Sequence, residues 1–519
     1  MGKIDRDTAP ASASGDADFV AYHAKASGAR LACVDLVSGA RLTYGELDLR
    51  IAKCAGWLQA LLGPARGARV ALLARNSMES LVLHFACVRA GAIFQPLNWR
   101  LSGAELNALV LDGMPSLFIY QVEFEAAAQQ AVQGAGISHV LRISDSENPL
   151  ARAIEAAAPA SEIANDPEAP VTLLYTSGTT GRSKGVIVTR RNAWTTALNF
   201  SFANEVSVRD VLLCDMPMFH VAGLFGVCYA GLFMGGTVLI SDRFTPAETL
   251  ARLSDPSLGV THFFAVPQMA ASLQQDPNYA QSDLARLKAL VIGGAPLPKV
   301  VVENFLARGI VPVEGYGLSE AGTVFAMPVD RAAIARKAGS SGVSAMLVDV
   351  RLVGPDGRDV ADGEIGEIWL KGPSVTPGYW NQPEATAKAF CDGWFKTGDA
   401  ARRDAEGFYQ IVDRWKDMYI SGGENVYPAE VESVLAEHAQ IVEAAVVGVA
   451  DDRWGEVGCA YVVLKGAGAL TAEAVLEHCR AKLARYKIPR YVRFVEILPR
   501  TGSGKVRKDE LRSAYKAGD

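Results

Sequence analysis

The chain has 519 residues, half of them hydrophobic, so it can bury a large core and is long enough for more than one domain. Its formal net charge is −6 and no strongly basic stretch stands out, which argues against nucleic acid as a partner. The eight cysteines lack CxxC spacing, which argues against a zinc site or a disulfide framework and predicts reduced thiols in a cytoplasmic protein. Most of them are expected to be small core residues.

The first eighteen residues are polar and rich in Ala, Ser and Asp. They lack the apolar core of a secretory signal, and Arg6 stands where an N-myristoylation site needs Ser or Thr. We therefore expect residues 1–18 to form a disordered lead-in.

Strands and helices alternate from residue 69 onward. The stretch ARVALLA predicts a strand, NSMESLVLHFACVRAG predicts a capped helix that ends at Gly91, and AIFQP predicts the next strand. Strand-like runs recur at VLLCD, THFFAV, ALVIGG and IVPVEGYG, separated by helix-length stretches. This alternation predicts an α/β fold with a mostly parallel, doubly wound sheet and nucleotide chemistry at the strand ends.

The stretch TSGTTGRSKG, at 176–185, resembles a Walker phosphate loop, but Ser183, Lys184 and Gly185 stand where that motif needs Gly, Lys and Ser or Thr. It still has the flexible glycines, hydroxyls and cations that bind phosphate oxygens. The apolar runs at 171–175 and 186–188 predict a strand on each side, without the helix N-terminus of a Walker loop. By itself the stretch leaves open a flexible surface loop. The phosphate-binding candidates are Thr176, Ser177, Gly178, Thr179, Thr180, Gly181 and Lys184.

The segment from Val221 to Ile240 has no charge for twenty residues, which is long enough to cross a bilayer. However, Gly235 and Gly236 interrupt it, and a run rich in β-branched residues follows them. This pattern favours a buried helix followed by a buried strand, so we expect no integral membrane span.

The pattern changes after about residue 345 to short strands and turns, which predict an antiparallel sheet or a small barrel. Beyond Arg414, two predicted helices and three predicted strands form a compact α+β unit. We expect a first domain over 19–413 and a second over 414–519.

Eight further stretches form a set with TSGTTGRSKG. They are LTYGEL (42–47), MPMFH (216–220), GGAPLP (293–298), YGLSE (316–320), TPGYWNQPEAT (376–386), DGWFKTGD (392–399), DRWKDMYISGGENVYPAEVE (413–432) and PRTGSGK (499–505). In this order, and over nearly the whole chain, they resemble the adenylate-forming superfamily and, within it, the acyl-CoA synthetases of the fatty-acid–CoA ligase type.

The resemblance implies a two-step reaction. ATP and a carboxylic acid first give an acyl-adenylate and pyrophosphate, and the thiol of CoA then displaces AMP to give the thioester. It also implies a large N-terminal adenylation domain of doubly wound sheets with a barrel-like β subdomain, followed by a small mobile C-terminal domain. ATP, Mg²⁺ and CoA are the implied cofactors and co-substrate.

For the phosphates and the metal, the resemblance implies that the loop at 176–185 binds the β and γ phosphates and that Glu320 and Thr176 bind Mg²⁺. Lys184 is the candidate catalytic lysine of this loop. Ser319 stands where the family usually has threonine, and it keeps the hydroxyl. By itself Glu320 could equally be a solvated loop carboxylate.

For the nucleoside, the resemblance implies that Tyr316 offers a flat face to adenine. Asp399 would accept both ribose hydroxyls, and Arg414 would add a second contact. A buried core tyrosine and a turn aspartate are the alternatives. The residues expected to allow close approach of the adenine ring are Gly294, Ala295 and Gly317.

Lys505 matches the lysine that, in this family, bridges the attacking carboxylate and the α-phosphate. Lys416 falls at the family's hinge, about which the small domain rotates between the two steps. The residues expected to approach CoA are Gly422, Gly423 and Asn425. Plant aryl-CoA ligases use a lysine and a glutamine in this loop, and the matching positions here are Ile420 and Asn425.

His220 matches the residue that guards the acyl pocket in relatives, and we assign it to substrate positioning at the catalytic centre. The small or apolar pocket candidates Val221, Ala222, Gly223 and Gly293 suit a medium- or long-chain fatty acid. They also admit a flat aryl or hydroxycinnamate acid.

A stand-alone adenylation domain that loads a carrier protein is a further alternative. The residues Lys184, Glu320, Asp399 and Lys505 disfavour a pseudoenzyme. The chain length of the acid and the oligomeric state stay open, and a homodimer is compatible with the sequence.

Overall fold

The computed structural model describes residues 18–63, 66–144, 148–160, 166–176, 183–294, 297, 299–415, 417–421, 424–466, 470–480, 482–500 and 506–517. The predicted lead-in falls outside this part of the chain except for Asp18. The Asp18 carboxylate accepts a hydrogen bond from the backbone N–H of Ala21 and pairs with Arg89, so it caps the first helix.

The chain divides into two compact units. The first comprises Met1–Ala338, Gly342–Val348 and Gly372–Lys388, and the second comprises Gly339–Ser341, Asp349–Lys371 and Ala389–Asp519. The predicted domain boundary at 413/414 stays a prediction.

The larger sheet of the first unit has nine of the described strands, in the order β15-β14-β13-β12-β11-β9-β10-β1-β2. From β1 to β13 along this order the neighbouring strands are parallel, as the alternating pattern predicts. The strands are β1 (Leu31–Asp35), β2 (Arg41–Thr43), β9 (Val211–Cys214), β10 (Thr237–Ile240), β11 (His262–Ala265), β12 (Ala289–Gly293), β13 (Pro312–Leu318), β14 (Gly322–Ala326) and β15 (Val343–Ser344).

The second sheet of this unit has the order β6-β5-β3-β4-β7-β8 and is parallel except for the antiparallel pair β7–β8. Buried apolar runs form inner strands of both sheets, such as β3 and β12, because strands covered on both faces need side chains that avoid water on each side. The strands are β3 (Arg69–Leu73), β4 (Ile93–Pro96), β5 (Leu117–Gln121), β6 (His139–Ile143), β7 (Pro170–Thr176) and β8 (Lys184–Thr189).

Several helices of the first unit begin at a residue whose side chain caps them. Ser77 caps the predicted helix of residues 78–90, and Gly91 ends it at a φ of 73°, a left-handed conformation that suits glycine. The helices are α1 (Phe19–Ser27), α2 (Tyr44–Leu62), α3 (Met78–Ala90), α4 (Gly103–Gly113), α5 (Glu125–Ala131), α6 (Pro149–Ala156), α7 (Arg190–Ala203), α8 (Ala230–Phe233), α9 (Pro246–Ser254), α10 (Pro267–Gln275), α11 (Lys299–Ala307), α12 (Arg331–Arg336) and α13 (Pro383–Ala389), with a 3₁₀ turn at Val122–Phe124.

The long uncharged segment is a buried helix that leads into strand β10, as predicted, but it begins as a π-helix over Ala222–Tyr229 before continuing as α8. The π-helix residues from Gly223 to Tyr229 are all buried, so this part of the segment has no polar face. Within the described residues, no helix combines the length and hydropathy needed to span a bilayer.

Over its described residues, the second unit contains two five-stranded sheets. The first is antiparallel, as predicted for the segment after residue 345, and the second carries the predicted α+β unit. The strands of the first are β16 (Asp349–Val353), β17 (Ile365–Lys371), β18 (Phe390–Cys391), β19 (Trp394–Arg403) and β20 (Tyr409–Arg414). Those of the second are β21 (Tyr419–Ser421), β22 (Glu424–Val426), β23 (Ile441–Asp451), β24 (Gly455–Leu464) and β25 (Tyr491–Phe494), with helices α14 (Pro428–Ala436), α15 (Ala472–Arg480) and α16 (Lys508–Ala517) and a 3₁₀ turn at Arg485–Lys487.

All eight cysteines are free thiols, and seven of them are buried. Burial raises the pKa of several of these thiols, including Cys33 and Cys87, so they stay protonated. The expectation that most cysteines are core residues is confirmed.

Candidate active site

The predicted phosphate loop is flanked in the chain by strands β7 and β8, as the strand–loop–strand prediction requires. Strand β7 ends at Thr176, which pairs directly with Lys184, the first residue of β8. The loop residues Ser177, Gly178, Thr179, Thr180 and Gly181 lie outside the described part of the chain.

The turn between β13 and β14 carries Ser319 and Glu320. The Glu320 Oε1 atom accepts a hydrogen bond of 2.9 Å from the hydroxyl of Tyr379, and the Glu320 carbonyl accepts one of 2.7 Å from the backbone N–H of Thr376. The carboxylate is therefore fixed at the turn, and it offers the hard oxygen that Mg²⁺ binds. The residues present fit the metal that the sequence predicts.

Two predicted binding regions of the first unit meet at a small cavity of about 10 Å³. The acyl-pocket candidate Val221 and Phe225 line one part of it, and Ser319 and Glu320 line another. The structure thus brings a predicted substrate residue next to the predicted metal residue.

Tyr316 lies on β13 and stacks on Phe325 of β14, with ring centroids 5.5 Å apart and planes 28° apart. The neighbouring Gly317 is held so close to β14 that a Cβ atom there would lie 2.4 Å from the Gly322 carbonyl oxygen. Gly294, at the end of β12, has a φ of 92°. The other nucleoside candidate of this region, Ala295, lies outside the described residues.

His220 follows a segment after β9 in which Met216, Met218 and Phe219 are buried. Asn76 fixes this segment with two hydrogen bonds of 2.8 Å, one from its Nδ2 to the Met216 carbonyl and one from the Met218 N–H to its Oδ1. The His220 ring lies 4.6 Å from the Phe219 ring. Asn76 lies in none of the motifs and supports the segment before the candidate His220; its place just after strand β3 was the signal for it.

The Phe219 ring also makes an edge contact with Trp99, at 6.4 Å between centroids, and lies 5.8 Å from the guanidinium carbon of Arg100. Trp99 and Arg100 follow the end of β4, another parallel strand. Because ligands bind at the carboxyl ends of parallel strands, this position could have identified them. Burial and the neighbouring Arg75 lower the pKa of Arg100.

In the second unit, Asp399 on β19 pairs directly with Arg414 on β20, and the Arg414 Nε atom lies 3.6 Å from the Asp399 Oδ1 atom. The two predicted ribose residues are therefore brought together. The Asp399 N–H donates to the hydroxyl of Thr397, which fixes the backbone at this position.

The predicted hinge and CoA residues Lys416, Gly422 and Gly423, the side chain of Asn425, and Lys505 all lie outside the described part of the chain. Ile420, which replaces the lysine of plant aryl-CoA ligases, is 47% exposed. Its backbone pairs with Asn425 in the β21–β22 hairpin.

A group of charged residues that belongs to no predicted site includes Asp413, Glu432 and Lys508. The Lys508 Nζ atom lies 2.8 Å from a carboxylate oxygen of Glu432, and the Asp413 carboxylate accepts a hydrogen bond of 2.7 Å from the Ala429 N–H. Burial raises the pKa of Glu432 and of Asp413. For Lys508, burial lowers the pKa, but the attraction of Glu432 and Asp413 more than offsets it, so the pKa lies above its usual value.

Comparison with known proteins identifies both parts of the chain. The AMP-binding enzyme model matches residues 20–380, and the AMP-binding enzyme C-terminal domain model matches residues 430–505.

Three relatives align over almost the whole chain. A feruloyl-CoA synthase of Amycolatopsis sp. is 40% identical, with 92% of this chain and 94% of the relative covered. An indoleacetate–CoA ligase of Aromatoleum aromaticum is 37% identical over 91% of this chain and 94% of the relative. A long-chain-fatty-acid–CoA ligase of Mycobacterium tuberculosis is 36% identical over 94% of this chain and 95% of the relative.

Two solved structures share the fold. ATP-bound MatB from Rhodopseudomonas palustris superposes with a TM-score of 0.87 at 32% identity, over 96% of this chain and 98% of that one. The o-succinylbenzoate-CoA synthetase of Bacillus subtilis with its acyl-adenylate has a TM-score of 0.84 at 30% identity, over 95% and 97%. The chain belongs to the AMP-binding enzymes of the adenylate-forming superfamily and is an ATP-dependent, AMP-forming acid–thiol ligase that uses ATP, Mg²⁺ and CoA.

Proposed function

We propose that the acid is apolar and carries a flat aromatic ring. The observation that supports this choice is the contact of the Phe219 ring with the rings of both His220 and Trp99. The acyl candidate His220 is thus surrounded by aromatic rings, whose flat faces suit a flat acid. Two of the relatives, at 40% and 37% identity, are named for the feruloyl group and for indoleacetate, both of which are aromatic.

A medium- or long-chain fatty acid is the second candidate. The long-chain-fatty-acid–CoA ligase at 36% identity supports it, as do the apolar side chains of Val221 and Phe225. Gly223 and Gly293, with Ala222, are the small residues that the proposal also assigns to the acyl pocket.

For the first step, we propose that a carboxylate oxygen of the acid forms a bond to the α-phosphorus of ATP while the bond to the pyrophosphate oxygen breaks. Lys184, with the hydroxyl of Thr176, holds the departing phosphates, and Lys505 neutralises the charge that develops between acid and α-phosphate. Bound Mg²⁺, with Glu320 as its ligand, would supply Lewis-acid charge neutralisation at the phosphates.

For the nucleoside, we propose that Tyr316 holds adenine, with Gly294, Ala295 and Gly317 allowing its close approach. Asp399 and Arg414 hold the ribose. A carboxylate can accept from two vicinal hydroxyls at once, which suits Asp399 for this task.

For the second step, the CoA sulfur attacks the acyl carbonyl carbon, and AMP leaves with the electron pair of the broken bond. We propose that Gly422, Gly423 and Asn425 approach the CoA arm after rotation about Lys416. We also propose a cytoplasmic location, supported by the free cysteines, and a homodimer, which light scattering of the purified protein tests.

The experiment is AMP release from ATP with a panel of aromatic, fatty and short dicarboxylic acids, each with and without CoA. CoA-dependent turnover that is highest on aromatic acids supports the proposal. Highest turnover on fatty acids overturns it in favour of the second candidate. Adenylate that free CoA does not discharge indicates instead a stand-alone adenylation domain that loads a carrier protein.

A further inference from the structure

Tyr379 contacts two charged residues with proposed roles, Lys184 for the phosphates and Glu320 for Mg²⁺. Its hydroxyl donates to the Glu320 Oε1 atom at 2.9 Å, and the Lys184 Nζ atom lies 4.6 Å from the centre of its ring. The tyrosine is only 8% exposed. One side chain therefore contacts both a candidate metal ligand and a candidate phosphate ligand.

The backbone around Tyr379 is fixed on two sides. Its own N–H donates to the Thr386 hydroxyl at 2.9 Å, and it forms a β-bridge with Val186, two residues after Lys184. The preceding Gly378 has a φ of 148°, and a Cβ atom there would lie 2.5 Å from the Thr386 side chain. These contacts allow Tyr379 little freedom to move relative to β8.

The same segment is tied to Glu320 through the backbone. The Thr376 N–H donates to the Glu320 carbonyl, and the Thr376 hydroxyl lies 2.6 Å from the Ile187 carbonyl oxygen and 2.9 Å from that of Gly378, so it can donate its one hydrogen to either. The residues 376–379 thus connect the β13–β14 turn to strand β8.

The chemistry of the phenol suits a neutral donor. The Tyr379 hydroxyl is the donor and the Glu320 carboxylate oxygen is the acceptor of their 2.9 Å hydrogen bond, so the bond holds the carboxylate in place without removing its charge. Lys184 forms no ion pair with any residue that the structure describes, and the aromatic face holds its ammonium group instead. A cation held on an aromatic face keeps its charge available for phosphate oxygens.

We propose that Tyr379 is a positioning residue that holds the Glu320 carboxylate for Mg²⁺ and the Lys184 ammonium for the phosphates while keeping the two charges from neutralising each other. The inference rests on the proposed roles of Glu320 and Lys184. It assigns a task to the motif TPGYWNQPEAT that the sequence alone did not provide.

The test is the Mg²⁺ dependence of adenylate formation, measured by pyrophosphate–ATP exchange in the full-length protein. Tyr379→Phe removes only the hydroxyl, and we expect it to raise the Mg²⁺ concentration at half-saturation by about fivefold or more, with kcat at saturating Mg²⁺ close to wild type. Tyr379→Leu also removes the ring, and we expect it to lower the saturated kcat by about tenfold.

CoA discharge of a supplied acyl-adenylate should stay at the wild-type rate in both variants, because that step involves no pyrophosphate. A merely structural tyrosine would change both steps together. Equal loss in the two steps, or an unchanged Mg²⁺ curve for Tyr379→Phe, overturns the inference.

Tyr175→Phe is the matched control, because its hydroxyl also donates to a carboxylate, that of Asp112, at 2.9 Å. We expect it to keep the wild-type Mg²⁺ curve, and a shift like that of Tyr379→Phe counts against the inference. Glu320→Gln separates the two proposals. If it raises the Mg²⁺ requirement and Tyr379→Phe does not, only the inference fails; if neither variant does, the metal assignment of Glu320 fails and the inference fails with it.

Discussion

Asp399 and Arg414 pair directly across β19 and β20, with the Arg414 Nε atom 3.6 Å from the Asp399 Oδ1 atom. The side chains are half-buried, and the arginine helps to keep the carboxylate in one place. Asp399→Ala is expected to raise the KM for ATP about tenfold or more, because hydrogen bonds to a charged acceptor are lost.

The measurement is the KM for ATP in the exchange assay at saturating acid. Asp359→Ala removes a carboxylate from an exposed pair with Arg351 in the same unit and serves as the control. An unchanged KM for ATP in Asp399→Ala contradicts the assignment of this residue to the ribose.

Lys505→Ala is expected to lower adenylate formation by about 100-fold or more and to leave CoA attack on a supplied acyl-adenylate largely intact. The reason is that the lysine charge is needed where the α-phosphate is attacked, not where the thioester forms. Stopped-flow or quench measurement of the two half-reactions separates them. Equal loss in both steps contradicts this division of labour.

Gly223→Ala is expected to lower kcat/KM for the acid about tenfold or more and to leave the KM for ATP nearly unchanged. An added Cβ atom would lie 2.4 Å from the Pro217 carbonyl oxygen, a backbone atom, so the segment before His220 has to shift. Gly226→Ala is the control within the same π-helix, since its Cβ atom would approach nothing closer than the Phe200 ring at 3.4 Å. Equal effects of the two substitutions would show that the backbone contact at Gly223 is unimportant.

Lys508→Met is expected to destabilise the protein by about 2 kcal/mol, because it leaves the Glu432 carboxylate mostly buried without its cation. Lys487→Met is the control. Lys487 pairs with Glu430, which lies on the same helix as Glu432 but has a more exposed side chain. We expect less than about 1 kcal/mol for that control. Urea denaturation at neutral pH gives both values, and equal losses contradict the importance of burial.

The buried His84 is expected to make the protein less stable in acid. Burial lowers the pKa of His84 to about 3, and its Nε2 atom lies 2.6 Å from the Tyr229 hydroxyl. Below the unfolded-state pKa of about 6.5, the unfolded chain binds a proton that the folded chain does not, so stability falls as the pH decreases toward 3.

From pH 7 to pH 5 this group is expected to cost about 2 kcal/mol. His84→Gln keeps an acceptor for the Tyr229 hydroxyl but does not titrate. The free energy of unfolding of this variant should therefore fall by about 2 kcal/mol less than that of the wild type between pH 7 and pH 5. Urea denaturation of both proteins at the two pH values measures the difference. Parallel pH dependence in the two proteins contradicts the prediction.

Much of the fold could be predicted because its signals are local. Strands such as β3 and β12 are uninterrupted apolar runs, and Ser77 and Gly91 mark the ends of α3 within the sequence itself. The pairing of Asp399 with Arg414 was also accessible, since both residues lie in motifs that resemble those of one family.

The remaining features depend on contacts between distant residues. The hydroxyl of Tyr379 contacts Glu320, which is 59 positions away, and no pattern in the sequence connects them. Lys508 lies in the charged run KVRKDELR, which is typical of a solvated helix, yet its ammonium group is held by Glu432. The π-helix gives no periodic signal, because a segment buried on every side has no polar face.

The π-helix at Ala222–Tyr229 lies between two strands, β9 and β10, which are paired with each other in parallel. A π-turn holds one more residue than an α-turn, and such turns behave as single-residue insertions into an α-helix. Deleting one residue from this segment therefore converts it to ordinary α-helix and rotates Val221 relative to Phe225, while the two strands keep their register. The number of residues in this segment, and not only their side chains, thus determines how Val221 and Phe225 are turned relative to each other in the cavity that they line with Glu320.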